Sequence, residues 1–173
     1  VEHHLFSDLD PIVIVRPATI DDAPDIARLS TGDITLSEEA LDAAIAIIAE
    51  RLAVASGDDF FTIVAERRDT SSLSGWLSAG GCRGQEHKGW SEIYALATEL
   101  KSTNTLVDEA LLEVALHALT LAQFAGVTTL VDSADDLRVE LFEDLGFSVE
   151  SAHTSDHDQP SSVTRYSLDF ISS

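Results

Sequence analysis

The chain has no methionine, one cysteine, and only two lysines, Lys88 and Lys101, among its ten basic residues. A lone Cys82 excludes an internal disulfide and fits a reducing compartment. The longest unbroken apolar run, Ala43 to Ala49, spans seven residues, whereas a membrane-spanning helix needs about 20. A membrane partner is therefore not expected. The opening stretch VEHHLFSDLD is acidic and lacks a signal peptide's cationic and apolar regions, so a cytoplasmic location is the expectation. The missing methionine suggests a processed, trimmed or incompletely represented terminus. Basic residues are scarce against 31 acidic ones, for a net charge of -21. Such a surface repels nucleic acid and anionic lipid, which removes both as partners. The same field would gather cationic amines, although net charge speaks first to solubility or adaptation to salt.

What is present is organised around Ser91 to Leu112, SEIYALATELKSTNTLVDEALL. Ile93, Ala95 and Ala97 alternate with Glu92, Tyr94 and Leu96, the period of a strand. After Lys101 the period changes. Val107, Ala110, Leu111, Val114, Ala118, Leu121, Ala122 and Ala125 recur at three- and four-residue steps, predicting a helix laid on a sheet and ending near Ala125-Gly126. A strand that runs straight into a helix start is a common anion site, because the first amides are unpaired and the helix dipole is positive there.

This stretch resembles the fourth strand and following helix of the GNAT superfamily of acyl-CoA N-acyltransferases. The family pattern is a strand with Val-x-Pro, then Gln/Arg-x-x-Gly-x-Gly/Ala, then a helix opening on two large aliphatics. Leu111 and Leu112 take the aliphatic pair, and counting back puts Thr103, Asn104, Thr105, Leu106, Val107 and Asp108 on the pyrophosphate loop. Both glycines are replaced. Further on, DDLRVELFEDLGF resembles the family's Asn-x-x-Ala-x-x-Phe-Tyr-Glu-Lys-Leu-Gly-Phe, with Leu141 for the Phe, Phe142 for the Tyr, and Leu145, Gly146 and Phe147 matching outright. The resemblance implies an α/β (α+β) fold, a central mixed, mostly antiparallel sheet of about six to seven strands flanked by about four helices. It covers roughly Ile12 to Phe170.

The remaining segments follow the same order. Ile12 to Ala18 reads as an opening strand, and Thr19-x-x-Asp22 caps a helix over about Ile20 to Ser30 with Ile26 and Leu29 inward. Thr35-Leu36-Ser37-Glu38 reads as a second capping box, before a helix with Ala40, Leu41, Ala44, Ile45, Ile48 and Leu52 on its apolar face, ending near Ser56-Gly57. Phe60 to Glu66 and Leu73 to Cys82 are expected strands joined by the turn Arg67 to Ser72. Gly75, Gly80, Gly81, Gly84 and Gly89 suggest a flexible hairpin tip, and Trp76 and Trp90 packing residues. Thr128 to Asp132 is an expected strand, Ser133 to Leu145 a helix stopped by Gly146, and Phe147 to Ser155 with Ser162 to Ile171 a closing antiparallel pair. No repeat and no linker is evident, so residues 1–11 read as a tail and 12–171 as one domain.

Acyl transfer from a thioester to an amine needs a neutral amine, a donor for the developing oxyanion and a proton for the departing thiolate. By position in the family pattern, acetyl-CoA would lie along Leu96, Ala97 and Thr98 and the loop Thr103 to Asp108. Leu106 obstructs the approach that glycine permits, and Asp108 brings a like charge to the place of two phosphates. Thr105-Leu106-Val107-Asp108 also reads as a capping box, with Asp108 able to satisfy the amides a phosphate would use. Lys101 is the one nearby cation. The family's proton-donating tyrosine falls at Phe142, leaving Tyr94 or Tyr166 to substitute. Glu92 and Glu99 flank the strand in the region that supplies a base, and Glu92 is the candidate. Asp33, Glu38 and Glu39 border the expected acceptor cleft. His153 and His157 with Asp156 and Asp158 lack the spacing of a metal site, His117 reads as a packed or surface residue, and no metal is expected. The acceptor would be a small-molecule amine or a protein amino group, with a homodimer left open. Two functions follow from these residues: an acyl-CoA N-acyltransferase, or a GNAT-like fold without CoA turnover that acts as a regulatory or interaction module.

Overall fold

The computed structural model describes residues 13–32, 34–54, 60–83, 88–99, 105–150 and 163–170. Seven strands and four α-helices are found among them. They run β1 (Val13–Pro17), α1 (Ala23–Thr31), α2 (Glu38–Val54), β2 (Phe60–Arg67), β3 (Leu73–Gly81), β4 (Ser91–Thr98), α3 (Thr105–Leu121), β5 (Gly126–Asp132), α4 (Asp136–Asp144), β6 (Ser148–Val149) and β7 (Val163–Asp169). The strands form one sheet in the order β1-β2-β3-β4-β5-β7-β6. Every neighbouring pair is antiparallel except β4 with β5. This is the mixed, mostly antiparallel sheet with four helices that the resemblance implies.

Alternation along β2 divides the interior into two layers. Ile63 and Ala65 join the larger cluster, with Leu77, Ile93, Leu111, Leu112, Leu119 and Phe142, under α3 and α4. Val64, between them, joins Ile26 and Leu73 on the opposite face, where Leu29, Ile48, Leu52 and Trp76 of the α1–α2 side pack. On that side Arg16 ties β1 to the chain's first turn: Nε bonds Glu66 at 2.7 Å, and Nη1 and Nη2 each bond Asp22 at 2.8 Å. Asp22 also accepts the Thr19 amide at 2.7 Å, so the first capping box forms as its spacing predicts.

Several boundaries differ from the sequence expectation, each for a local reason. The first helix is divided into a single 3-10 turn, Ile20–Asp22, and α1, with Pro24 in the first α-helical turn, the position where a missing N–H costs nothing. The cap of α2 is Ser37 rather than Thr35: its hydroxyl accepts the Ala40 amide at 3.2 Å. Helix α3 stops at Leu121 instead of near Ala125, because Gln123 turns left-handed (φ 63°) and the Phe124 amide folds back on the Leu119 carbonyl. Strand β5 consequently starts at Gly126, two residues early, packed so closely that an added Cβ would lie 2.6 Å from the Leu168 carbonyl and from Trp90. Helix α4 starts at Asp136 rather than Ser133, because Asp135 is its cap and accepts the Arg138 amide. Gly146 ends that helix at φ 89°, as expected. Of the next expected strand, Ser148–Val149 pairs with β7 and the Glu150 amide donates to the Arg165 carbonyl at 2.9 Å, while residues 151–162 lie outside the described residues.

The buried stripe of α3 also differs. Val107, Leu111, Leu112, Ala115 and Leu119 are buried, whereas Val114 and Leu121 are exposed. Glu109, Glu113, His117 and Thr120 mark one polar face and leave a wide apolar arc, so period alone permits more than one stripe within it, and contact with the sheet selects among them.

Candidate active site

The site is built by the one parallel pair. Strands β4 and β5 are joined at three positions only, Ser91 to Val127, Glu92 to Thr128 and Ile93 to Thr129. Strand β4 continues to Thr98 and β5 to Asp132, so beyond Ile93 the two part and leave a V. On the other side of β4 the register slips: Ile93 faces Ala79 but Ala95 faces Ser78. Tyr94 is thus an extra residue, a β-bulge that bends β4 away at the point where pairing with β5 ends. Among the described residues, the backbone groups of Ala95 to Thr98 that face β5 have no strand partner there. The V holds a cleft of about 120 Å³ walled by Glu92, Tyr94, Leu96, Leu130, Arg138 and Phe142 among others.

Both candidate catalytic residues stand on this wall. Glu92 is half-buried, and the Cys82 thiol donates to its Oε2 at 3.9 Å. Tyr94 stacks on Phe60 with ring centroids 5.8 Å apart, lies under the Arg83 guanidinium at 4.7 Å, and donates its hydroxyl to the Gly81 carbonyl. Burial pushes the phenol above its ordinary value. Tyr166, the other candidate acid, is buried in the core between β5 and β6 and is not on the cleft wall. Phe142 occupies the expected tyrosine position with its ring buried edge-on against Phe147, centroids 4.9 Å apart. Glu99 lies beyond β4, 3.7 Å from Arg67.

The start of α3 holds the expected cofactor loop. Lys101, Thr103 and Asn104 lie outside the described residues. Leu106 is exposed, while Val107 packs inward over Gly75. A Cβ at Gly75 would lie 2.8 Å from Thr98, 3.0 Å from Val107 and 3.1 Å from Leu111; the missing side chain lets α3 approach the sheet here. Thr105 opens the helix instead of preceding it. Asp108 is buried, and its carboxylate faces Arg138 of α4, with Oδ2 3.7 Å from Nε, and the Thr98 hydroxyl. Burial pushes this carboxyl up, against the pull of Arg138 and Thr98. Asp108 thus reaches from the first turn of α3 toward α4.

Arg138 is the site residue that sequence reasoning passed over. It stands where the family pattern has Ala, and its position in DDLRVELF was the available signal. Other candidates fall away from the cleft: Glu38 and Glu39 are exposed at the start of α2, and His117 is exposed on α3. Asp33 and the His153–Asp158 segment lie outside the described residues. Among the described residues no group of three or more metal-ligating side chains is found, and no helix is long and apolar enough to cross a membrane.

No family model and no curated protein matches the chain. Solved structures do. A GNAT superfamily phosphinothricin acetyltransferase from Sinorhizobium meliloti, in complex with acetyl-CoA, is 18% identical with a TM-score of 0.70, over 91% of this chain and 88% of that one. The PaiA N-acetyltransferase of Thermoplasma acidophilum, in complex with coenzyme A, is 15% identical with a TM-score of 0.69, over 91% and 99%. Ribosomal-protein-S5-alanine acetyltransferase from Vibrio fischeri is 12% identical with a TM-score of 0.70, over 91% and 93%. At such identities the likeness is one of architecture, and with the β4 bulge and the parting of β4 from β5 it leads to one conclusion: the chain has the fold of the GNAT acetyltransferases.

Proposed function

We propose that the chain is an N-acyltransferase that moves an acyl group from acetyl-CoA to an amine in the β4–β5 cleft. The observation that carries this reading is the V itself: a strand edge left unpaired beside a half-buried carboxylate. A thioester arm rich in amides can pair with the free groups of Ala95 to Thr98. Glu92 takes the proton of the attacking amine, and a backbone N–H on the same edge stabilises the oxyanion. Tyr94 is the phenol on the wall, and it reaches the departing thiolate once its bond to Gly81 exchanges. The similar proteins' names include a ribosomal-protein alanine and phosphinothricin, which supports an amine acceptor on either a protein or a small molecule. A chain of net charge -21 favours a cationic one.

The second reading, a fold without CoA turnover that acts as an interaction module, is favoured by Asp108 at the phosphate end and by Phe142 in place of a phenol. Calorimetric titration of acetyl-CoA, paired with thermal unfolding, separates the two. A bound ligand at one hundred times its Kd stabilises by about 2.7 kcal/mol, so a rise in melting temperature and release of free thiol with an amine are expected. No heat and no stabilisation up to millimolar ligand would leave the second reading standing alone.

A further inference from the structure

Arg16, Arg67 and Arg138 each stand between two carboxylates, and the two that pack against buried carboxylates, Arg16 and Arg138, are used differently. Arg16 spends its whole fork, Nε on Glu66 and both terminal nitrogens on Asp22, at 2.7–2.8 Å. The nearest approach of Arg138 to each of Asp108 and Asp135 is 3.7 Å, from Nε in both cases, beyond hydrogen-bond range. Among the described residues its terminal nitrogens make no hydrogen bond. The side chain is 30% exposed and lines the cleft. Its point of departure is fixed, because the Arg138 amide donates to the Asp135 cap at 3.2 Å. The carboxylate beside it, Asp108, belongs to the first turn of α3. A guanidinium whose terminal nitrogens make no hydrogen bond among the described residues is therefore held beside the first turn of α3, which is where the family resemblance places a diphosphate.

We propose that Arg138 is the residue that binds the donor's diphosphate, doing from α4 what a glycine loop would do from α3. This rests on the acyltransferase reading of the cleft. A turn carrying Leu106 and Asp108 does not offer the bare backbone that phosphates need. A planar guanidinium matches two phosphate oxygens at once. Asp108 and Asp135 aim the fork and leave its outer edge to the ligand, and a diphosphate, with more charge than either carboxylate, displaces their loose hold.

The test compares two ligands with the same thioester arm, acetyl-CoA and S-acetylpantetheine, which has no phosphate. Both are titrated calorimetrically into the full chain and into Arg138→Gln. Loss of charge-assisted bonds should weaken acetyl-CoA by about tenfold to a hundredfold and leave S-acetylpantetheine within about twofold, with a shallower salt dependence for acetyl-CoA. Arg138→Lys, a point charge without the fork, should fall between, and it serves if the Gln variant does not fold. Equal weakening of both ligands, or unchanged acetyl-CoA affinity, overturns the assignment while the acyltransferase reading stands. Failure of both ligands to bind the unaltered chain sinks that reading, and this one with it.

Discussion

Asp22 and Asp108 are both buried carboxylates beside a guanidinium, and their surroundings drive them in opposite directions. Hydrogen bonds from Arg16 hold Asp22 below the ordinary carboxylate value against the cost of burial. A carboxyl lowered on folding stabilises the fold above its unfolded value, and that contribution is lost as pH falls through the folded value. Asp22→Asn should therefore cost about 1.5–3 kcal/mol at pH 7 and progressively less in acid, as measured by urea unfolding at several pH values. Asp108 is raised, chiefly by burial, so the sign reverses. Its folded form holds a proton more tightly than the unfolded chain does, and stability declines as pH rises through that window. The stability of Asp108→Asn relative to the unaltered protein should accordingly increase with pH and level off once the folded value is passed. A difference that shrinks with rising pH would mean that Arg138, and not burial, dominates. The setting of Asp108 was not legible in the sequence beyond the carboxylate's position, because Asp108 and Arg138 are far apart in the chain and meet only through the packing of α3 on α4.

At the scale of elements, period and punctuation were readable and phase was not. Thr19, Gly146 and the alternation along β4 act through residues within a turn or a strand of themselves, so they can be read locally. Helix α3 shows what cannot. The apolar arc of residues 107–121 is wide enough that several stripes satisfy helical spacing, and only the sheet selects Leu112, Ala115 and Leu119 over Val114 and Leu121. Truncation measures the choice directly. Leu112→Ala should cost about 2.5–5 kcal/mol in denaturant unfolding, whereas Val114→Ala should stay within about 0.5 kcal/mol. Comparable losses at the two positions would refute the phase of the helix. Helix α2 poses the converse case, because none of its residues is buried although Ile48 and Leu52 pack partly against Val64 and Trp76.

For the whole molecule, the excess of 31 acidic over ten basic residues sets a background of self-repulsion that burial must overcome. Added salt screens it, with a Debye length that shrinks from about 30 Å at 0.01 M to about 3 Å at 1 M. The melting temperature should thus rise between these concentrations. A fall on adding salt would show that ion pairs such as those of Arg16 outweigh the repulsion. The composition by itself determined this sign, and the residue pattern determined the order and kind of the elements, because net charge is a sum and periodicity is local. Tertiary structure alone decided where β4 and β5 part, which stripe of α3 is buried, and that a guanidinium from α4 meets the carboxylate at the start of α3. Those outcomes depend on side chains brought together by the sheet, and no spacing along the chain encodes the distance between them.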